Sequence, residues 1–124
     1  MVEIISTEEL KKLIDENRDY VLIDVREPGE MINGMIPTAE KIPLGDILQD
    51  EALDLTPEEF EENYGFKKPS KDDNVIFYCR TGSRSQMAAQ KAGSLGFNKV
   101  RNYEGSVQEW SKIDSKVEMY GLVG

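Results

Sequence analysis

A chain of 124 residues is the size of one ordinary domain and too short for two. One cysteine and no histidine exclude an intrachain disulfide and a Cys/His zinc site, so the fold must rest on burial alone. Fifteen basic residues against twenty-four acidic ones, a net charge of −9, argue against nucleic acid or an anionic membrane surface as a partner.

The N-terminal run Met1-Val2-Glu3-Ile4-Ile5-Ser6 is acidic and strand-like, without the basic and apolar regions of a signal peptide. No apolar run reaches the length of a membrane span. A lone cysteine suits a reducing compartment, and the cytoplasm is the expected location. Ser6-Thr7-Glu8-Glu9 has the spacing of a capping box and predicts a helix to about Asn17, with Leu10, Leu13 and Ile14 on its apolar face. Tyr20 to Val25 is a β-branched, near-continuous apolar run, the pattern of a strand buried on both faces of a parallel sheet. Pro28-Gly29 opens an irregular stretch that ends near Pro37.

Lys41-Ile42-Pro43 reads as a short strand leading to a helix over Leu44 to Leu53. Thr56 followed by Pro57 marks another helix start, and Tyr64-Gly65 its end. Asn74 to Tyr78 is the second strong strand, running directly into Cys79. From Ser83 or Arg84 the pattern turns helical, with Met87, Ala88, Ala92 and Leu95 on one side and Gly96 closing it. A last strand is expected over Asn98 to Tyr103 and a closing helix from Gly105 to Trp110. The domain is thus read as residues 1–114, with 115–124 a mobile tail. Alternating strands and helices without linkers or repeats predict one α/β domain with a mostly parallel sheet. Sites in such sheets form at the carboxyl ends of the strands, which is where Cys79 falls.

The run Cys79-Arg80-Thr81-Gly82-Ser83-Arg84-Ser85 carries the chemistry. A thiol between a strand end and a helix start meets unpaired backbone N–H groups and a positive dipole end. Gly82 lets the loop curl so that successive amides point inward as an anion cradle. Arg80 and Arg84 add permanent positive charge, and the hydroxyls of Thr81, Ser83 and Ser85 offer further donors. All of these favour thiolate, so the Cys79 pKa is expected below its ordinary value. The same cradle suits a persulfide anion or an anionic donor such as thiosulfate. A buried, inert cysteine is the plainer reading of an arbitrary thiol; here strand, thiol, glycine loop, two arginines and helix coincide in order. Asp24 and Arg26 end a strand on the same edge. Bracing of the active loop is the favoured reading, against a surface ion pair worth about 0–1 kcal/mol. Trp110 reads as packing rather than a substrate platform, and Glu58, Glu59, Glu61 and Glu62 as a solvated helix face.

The loop from Cys79 to Ser85 resembles the active-site loop of the single-domain rhodaneses, thiosulfate sulfurtransferase-like proteins. Ile23-Asp24-Val25-Arg26-Glu27 resembles that family's aspartate–arginine signature. Gly34 to Ala39 resembles its glycine–histidine–isoleucine–proline segment, and Asn102 to Trp110 its closing glycine-to-tryptophan segment. The resemblance implies a five-stranded, mostly parallel sheet flanked by helices on both faces, and a ping-pong reaction without a cofactor or metal. Cys79 would take sulfane sulfur from thiosulfate, a persulfide or a polysulfide and pass it to cyanide, glutathione or a thioredoxin-type thiol. Met35, Thr38 and Glu104 depart from the family pattern, standing for a histidine and two glycines. None removes a catalytic group, and Glu104 is placed to influence acceptor choice. Four residues separate Cys79 from Arg84, one fewer than in the cysteine phosphatases that share this fold, and Ser85 stands where a phosphatase needs its arginine. A docking module without turnover is the other alternative, and the intact loop speaks against it.

Overall fold

Segments rich in β-branched residues and segments of helical periodicity alternate along the chain, and the computed structural model, which describes residues 2–119, turns each into its own element. The strands are β1 (Glu3–Ile4), β2 (Val21–Asp24), β3 (Glu40–Lys41), β4 (Asn74–Tyr78) and β5 (Lys99–Asn102). They form one sheet in the order β1-β5-β4-β2-β3, and every adjacent pair is parallel. The helices are α1 (Thr7–Asp15), α2 (Pro28–Met31), α3 (Leu44–Leu48), α4 (Pro57–Tyr64), α5 (Ser83–Ser94) and α6 (Ser106–Trp110).

Side chains alternate across a strand, so the apolar runs of β2 and β4 feed two cores. Ile23, Val25, Val75 and Phe77 face α3, α4 and α5, meeting Ile47, Phe60, Ala88, Ala89 and Ala92. Leu22, Ile76 and Tyr78 face α1 and α6, meeting Leu10, Val107 and Trp110. Register aligns the strand ends: Asp24 pairs with Tyr78 and Phe77 with Asn102. Cys79 and the loop after it therefore emerge between the ends of β2 and β5.

Local signals set several boundaries. Ser6 caps α1 through a reciprocal box with Glu9. Thr56 accepts the Glu59 amide at 3.2 Å ahead of Pro57, and Gly65 ends α4 at φ 76. Other expectations need correction. The stretch after Pro28 contains a four-residue helix, α2, with the Glu30 carboxylate accepting the Glu27 amide at 3.0 Å. The helix expected over Leu44 to Leu53 stops at Leu48; Glu51 enters the left-handed region at φ 55 and a 3₁₀ turn follows over Ala52–Asp54. Met87 is exposed, because three alanines, Ala88, Ala89 and Ala92, form the face that lets α5 lie close on the sheet.

Thr38, where the family pattern has glycine, sits at φ 75, a costly conformation for a β-branched residue, and its hydroxyl meets that of Tyr20 at 2.8 Å. Packing also continues past residue 114. Val117 is buried and the Glu118 amide donates to the Asn33 carbonyl at 3.0 Å, so residues 115–119 belong with the domain, while 120–124 of the expected tail lie outside the described residues.

Gly34 is the hinge of that closing contact. It has φ 105, and a Cβ there would lie 2.1 Å from the Lys116 carbonyl oxygen. Gly34→Ala is expected to destabilise the fold by about 2 kcal/mol or more in urea denaturation, since both the backbone and the neighbour oppose it. An unchanged midpoint would show that the 34–116 contact contributes nothing.

Candidate active site

The site grows from the end of β4. Cys79 is fully buried, and its backbone N–H donates to the Ser106 hydroxyl at 3.1 Å. Behind it, the amides of Val107 and Gln108 donate to the Cys79 and Arg80 carbonyls at 3.1 and 2.9 Å, so the start of α6 holds the loop from below. In front, the chain bends at Gly82, the residue before α5, which has φ 99. A Cβ on Gly82 would meet the Glu104 carbonyl oxygen at 2.4 Å, so both the backbone conformation and the fit require glycine here.

The bend aims donors at the sulfur. The Gly82 N–H lies 3.0 Å from Sγ, and the Ser85 hydroxyl 3.4 Å from it. Burial is the largest influence on the thiol and favours its neutral form. The Ser85 hydroxyl and the amides of Ser85, Gly82 and Thr81 outweigh it, leaving the Cys79 pKa below its ordinary value. The direction matches the expectation from the loop, and the largest contributions that produce it are hydrogen bonds, with the attraction between Arg84 and the sulfur acting the same way.

Both arginines sit differently from a pair of free charges beside the sulfur. Arg84 makes a two-pronged ion pair with Glu30 of α2, Nη1 to Oε1 at 2.7 Å and Nη2 to Oε2 at 2.8 Å. Arg80 is half-buried at the loop's start. Thr81 and Ser83 are exposed at the rim, so it is the Thr81 amide, not its hydroxyl, that serves the sulfur.

Asp24 and Arg26 lie one layer back, both buried, joined by Nη2 to Oδ2 at 2.7 Å and Nε to the same carboxylate at 3.1 and 3.0 Å. The surface-pair reading fails on that burial. Burial opposes the Arg26 charge, yet the hydrogen bond and attraction from Asp24 raise its pKa on balance. Arg26 also donates to the carbonyls of Glu30 at 3.3 Å and Gly34 at 2.8 Å. The brace is therefore indirect: Arg26 holds the backbone of α2, and Glu30 of α2 holds Arg84. Trp110 packs edge-on against Tyr103, as expected of a packing residue.

Three residues at the site were not singled out from sequence. Glu30 was visible only as the fourth position of a Glu27-Pro28-Gly29-Glu30 box, which Pro-Gly disguised as a turn. Ser106 follows Gly105 and sits buried at φ 51, with its hydroxyl donating to the Tyr103 carbonyl at 2.8 Å and lying 4.0 Å from Sγ. Asn102 ends β5 and donates to the Gly82 carbonyl at 3.2 Å. It opens the segment from Asn102 to Trp110 that resembles the family's closing motif, but nothing in that pattern gave it a role.

A buried thiol cradled by amides at the carboxyl edge of a five-stranded parallel sheet defines, with this fold, an α/β domain of the sulfurtransferase class. The chain belongs to the rhodanese-like domain family, whose model matches residues 6–113. It is 37% identical over 112 residues to the human thiosulfate:glutathione sulfurtransferase, covering 90% of this chain and 95% of that protein. It is 47% identical over 108 residues to a mitochondrial protein of Schizosaccharomyces pombe provisionally named a thiosulfate sulfurtransferase, covering 86% of this chain and 75% of that one. The solved structure of the human single-domain sulfurtransferase TSTD1 superposes with a TM-score of 0.84 at 34% identity, over 92% of this chain and 99% of that one.

The Glu30–Arg84 pair has a pH signature. The Arg84 hydrogen bond, working against burial, holds the Glu30 pKa down from 4.5 to about 2. A carboxylate whose folded pKa is depressed stabilises the fold fully above its unfolded pKa and loses that contribution as pH falls through the folded one. Glu30→Gln is expected to lower the urea midpoint at neutral pH, with the gap from the parent narrowing between about pH 4.5 and pH 2. A gap that stays constant over that range would mean the ion pair adds nothing.

Proposed function

We propose that this protein transfers sulfane sulfur from thiosulfate, a persulfide or a polysulfide to a thiophilic acceptor through a persulfide on Cys79. One observation carries the reading: a fully buried sulfur whose pKa is nonetheless lowered by the Ser85 hydroxyl and three loop amides. Burial alone would leave an inert thiol; the donors shift it toward the thiolate, its nucleophilic form.

In the first half-reaction the Cys79 thiolate attacks the outer sulfur of thiosulfate. A Cys79 Sγ–S bond forms, the donor's S–S bond breaks, and its electron pair leaves with sulfite. The negative charge then rests on the terminal sulfur, where the amides of Thr81, Gly82 and Ser85 and the hydroxyls at the loop offer it hydrogen bonds in the manner of an oxyanion hole. In the second half an acceptor thiolate or cyanide attacks that sulfur, and the Sγ–S pair returns to Cys79. Charge balances in both steps, and no proton need be stored.

The residues Arg80, Thr81, Gly82, Ser83, Arg84 and Ser85 form the anion-binding loop in this reading, and Asp24 and Arg26 support it through α2. Glutathione is the favoured acceptor, by likeness to the human relative, whose name states that acceptor. A thioredoxin-type protein is a second acceptor of the same chemistry. The lone thiol suits a reducing compartment, and the cytoplasm remains our reading although the Schizosaccharomyces pombe relative is named mitochondrial. Phosphoryl transfer is disfavoured by the short loop and by an Arg84 committed to Glu30.

Intact mass of the purified, reduced protein before and after thiosulfate tests this directly. The expected result is a gain of one sulfur atom that glutathione or cyanide removes and that Cys79→Ser lacks. No gain with thiosulfate, polysulfide or a persulfide donor would overturn the reading in favour of a docking module.

A further inference from the structure

The Ser85 hydroxyl has one proton and two acceptors within reach: the Gly82 carbonyl oxygen at 3.2 Å and Cys79 Sγ at 3.4 Å. Which of them receives it matters, because a proton given to the carbonyl is one withheld from the sulfur. The Gly82 carbonyl, buried at the turn, has two lone pairs to fill. Two other donors reach it, the Gln86 amide at 3.2 Å and the Asn102 side-chain amide at 3.2 Å. With both in place the carbonyl is satisfied without Ser85.

We infer that Asn102 is a positioning residue that frees the Ser85 hydroxyl proton for the Cys79 sulfur by taking over the Gly82 carbonyl. This rests on the reading of Cys79 as the nucleophile. Asn102 is 2% exposed, and its Nδ2 reaches Gln86 Oε1 at 3.1 Å as well as Gly82. Its Oδ1 is buried and has no hydrogen-bond partner among the described residues. The side chain is thus oriented wholly for donation, at the expense of its own acceptor; reversed, it would set oxygen against oxygen.

Asn102 carries no charge. Its side-chain hydrogen bonds go to Gly82 and Gln86, and Arg84, whose charge the Cys79 sulfur favours, is tied to Glu30. An effect of Asn102 on the thiolate therefore runs through Gly82 and Ser85.

A double-mutant cycle separates this role from simple support of the loop. The Cys79 pKa is read from thiolate absorbance and from the pH dependence of iodoacetamide alkylation, in the parent, Asn102→Leu, Ser85→Ala and the double variant. Asn102→Leu is expected to raise the pKa by about half a unit to one unit, and so to slow alkylation below the pKa roughly three- to tenfold. Ser85→Ala should raise it at least as far, and adding Asn102→Leu to Ser85→Ala should change nothing more. An unchanged pKa in Asn102→Leu overturns the inference. So does a shift that persists undiminished without the Ser85 hydroxyl, which would assign Asn102 to holding the Gly82 amide instead. Should Asn102→Leu not fold, Asn102→Ala enters the same cycle. Because thiolate is measured without any sulfur donor, failure of sulfur loading would overturn the proposed function and leave this result standing.

Discussion

A sulfur atom buried in a protein and yet drawn toward its anionic form is the constraint around which this domain is arranged. Removal from water favours the thiol, and only donors placed at hydrogen-bond distance reverse that preference. The amides of Thr81, Gly82 and Ser85 do so because the backbone turns through the left-handed region at Gly82. That turn is possible because nothing but a hydrogen faces the Glu104 carbonyl. The strand delivering Cys79, the helix following the loop and the end of β5 all meet at this one short bend.

Support for the bend comes from two sides. On one, α6 receives the Cys79 and Arg80 carbonyls on its first amides while Ser106 accepts the Cys79 N–H, so the strand end cannot slide. On the other, Asp24, Arg26, α2, Glu30 and Arg84 form a continuous chain of contacts from β2 to the loop. Arg26 is buried with its guanidinium serving one carboxylate and two carbonyls, and removing any one of these would strand the others. Arg84 is spent in the same chain. The Arg84 charge is consequently shared with Glu30, and the largest part of the work of favouring an anion falls to neutral dipoles. These are short-ranged and directional, which makes the site depend on loop geometry more than on net charge.

Most of the scaffold was legible from sequence because its signals are local. The β-branched runs of β2 and β4, the Ser6 capping box, Pro57 after Thr56 and Gly65 each act within a few residues of themselves. The loop at Cys79 was legible for the same reason, being contiguous. The misreadings share another cause. Helix α2 is too short for periodicity to appear, and the break after Leu48 turns on one left-handed residue, Glu51. Residues 115–119 look patternless, yet Val117 finds a buried place and Lys116 closes on Gly34. Their order comes from distant neighbours.

What the sequence by itself determined was the class of fold, the position of the lone thiol and the bend that cradles it. Each follows from chain-local stereochemistry: strand propensity, a glycine's freedom and the unpaired amides at a helix start. Tertiary structure alone decided who shares the site. Glu30 and Arg84 lie far apart along the chain, as do Asn102 and Gly82 or Ser106 and Cys79. Which of them meet depends on the parallel order of the sheet, which places the ends of β2, β4 and β5 side by side. Arg84, close to Cys79 in sequence, reads there as free positive charge. Only the fold shows that it is paired with a glutamate from another helix, and that hydrogen bonds from the loop reach the sulfur directly.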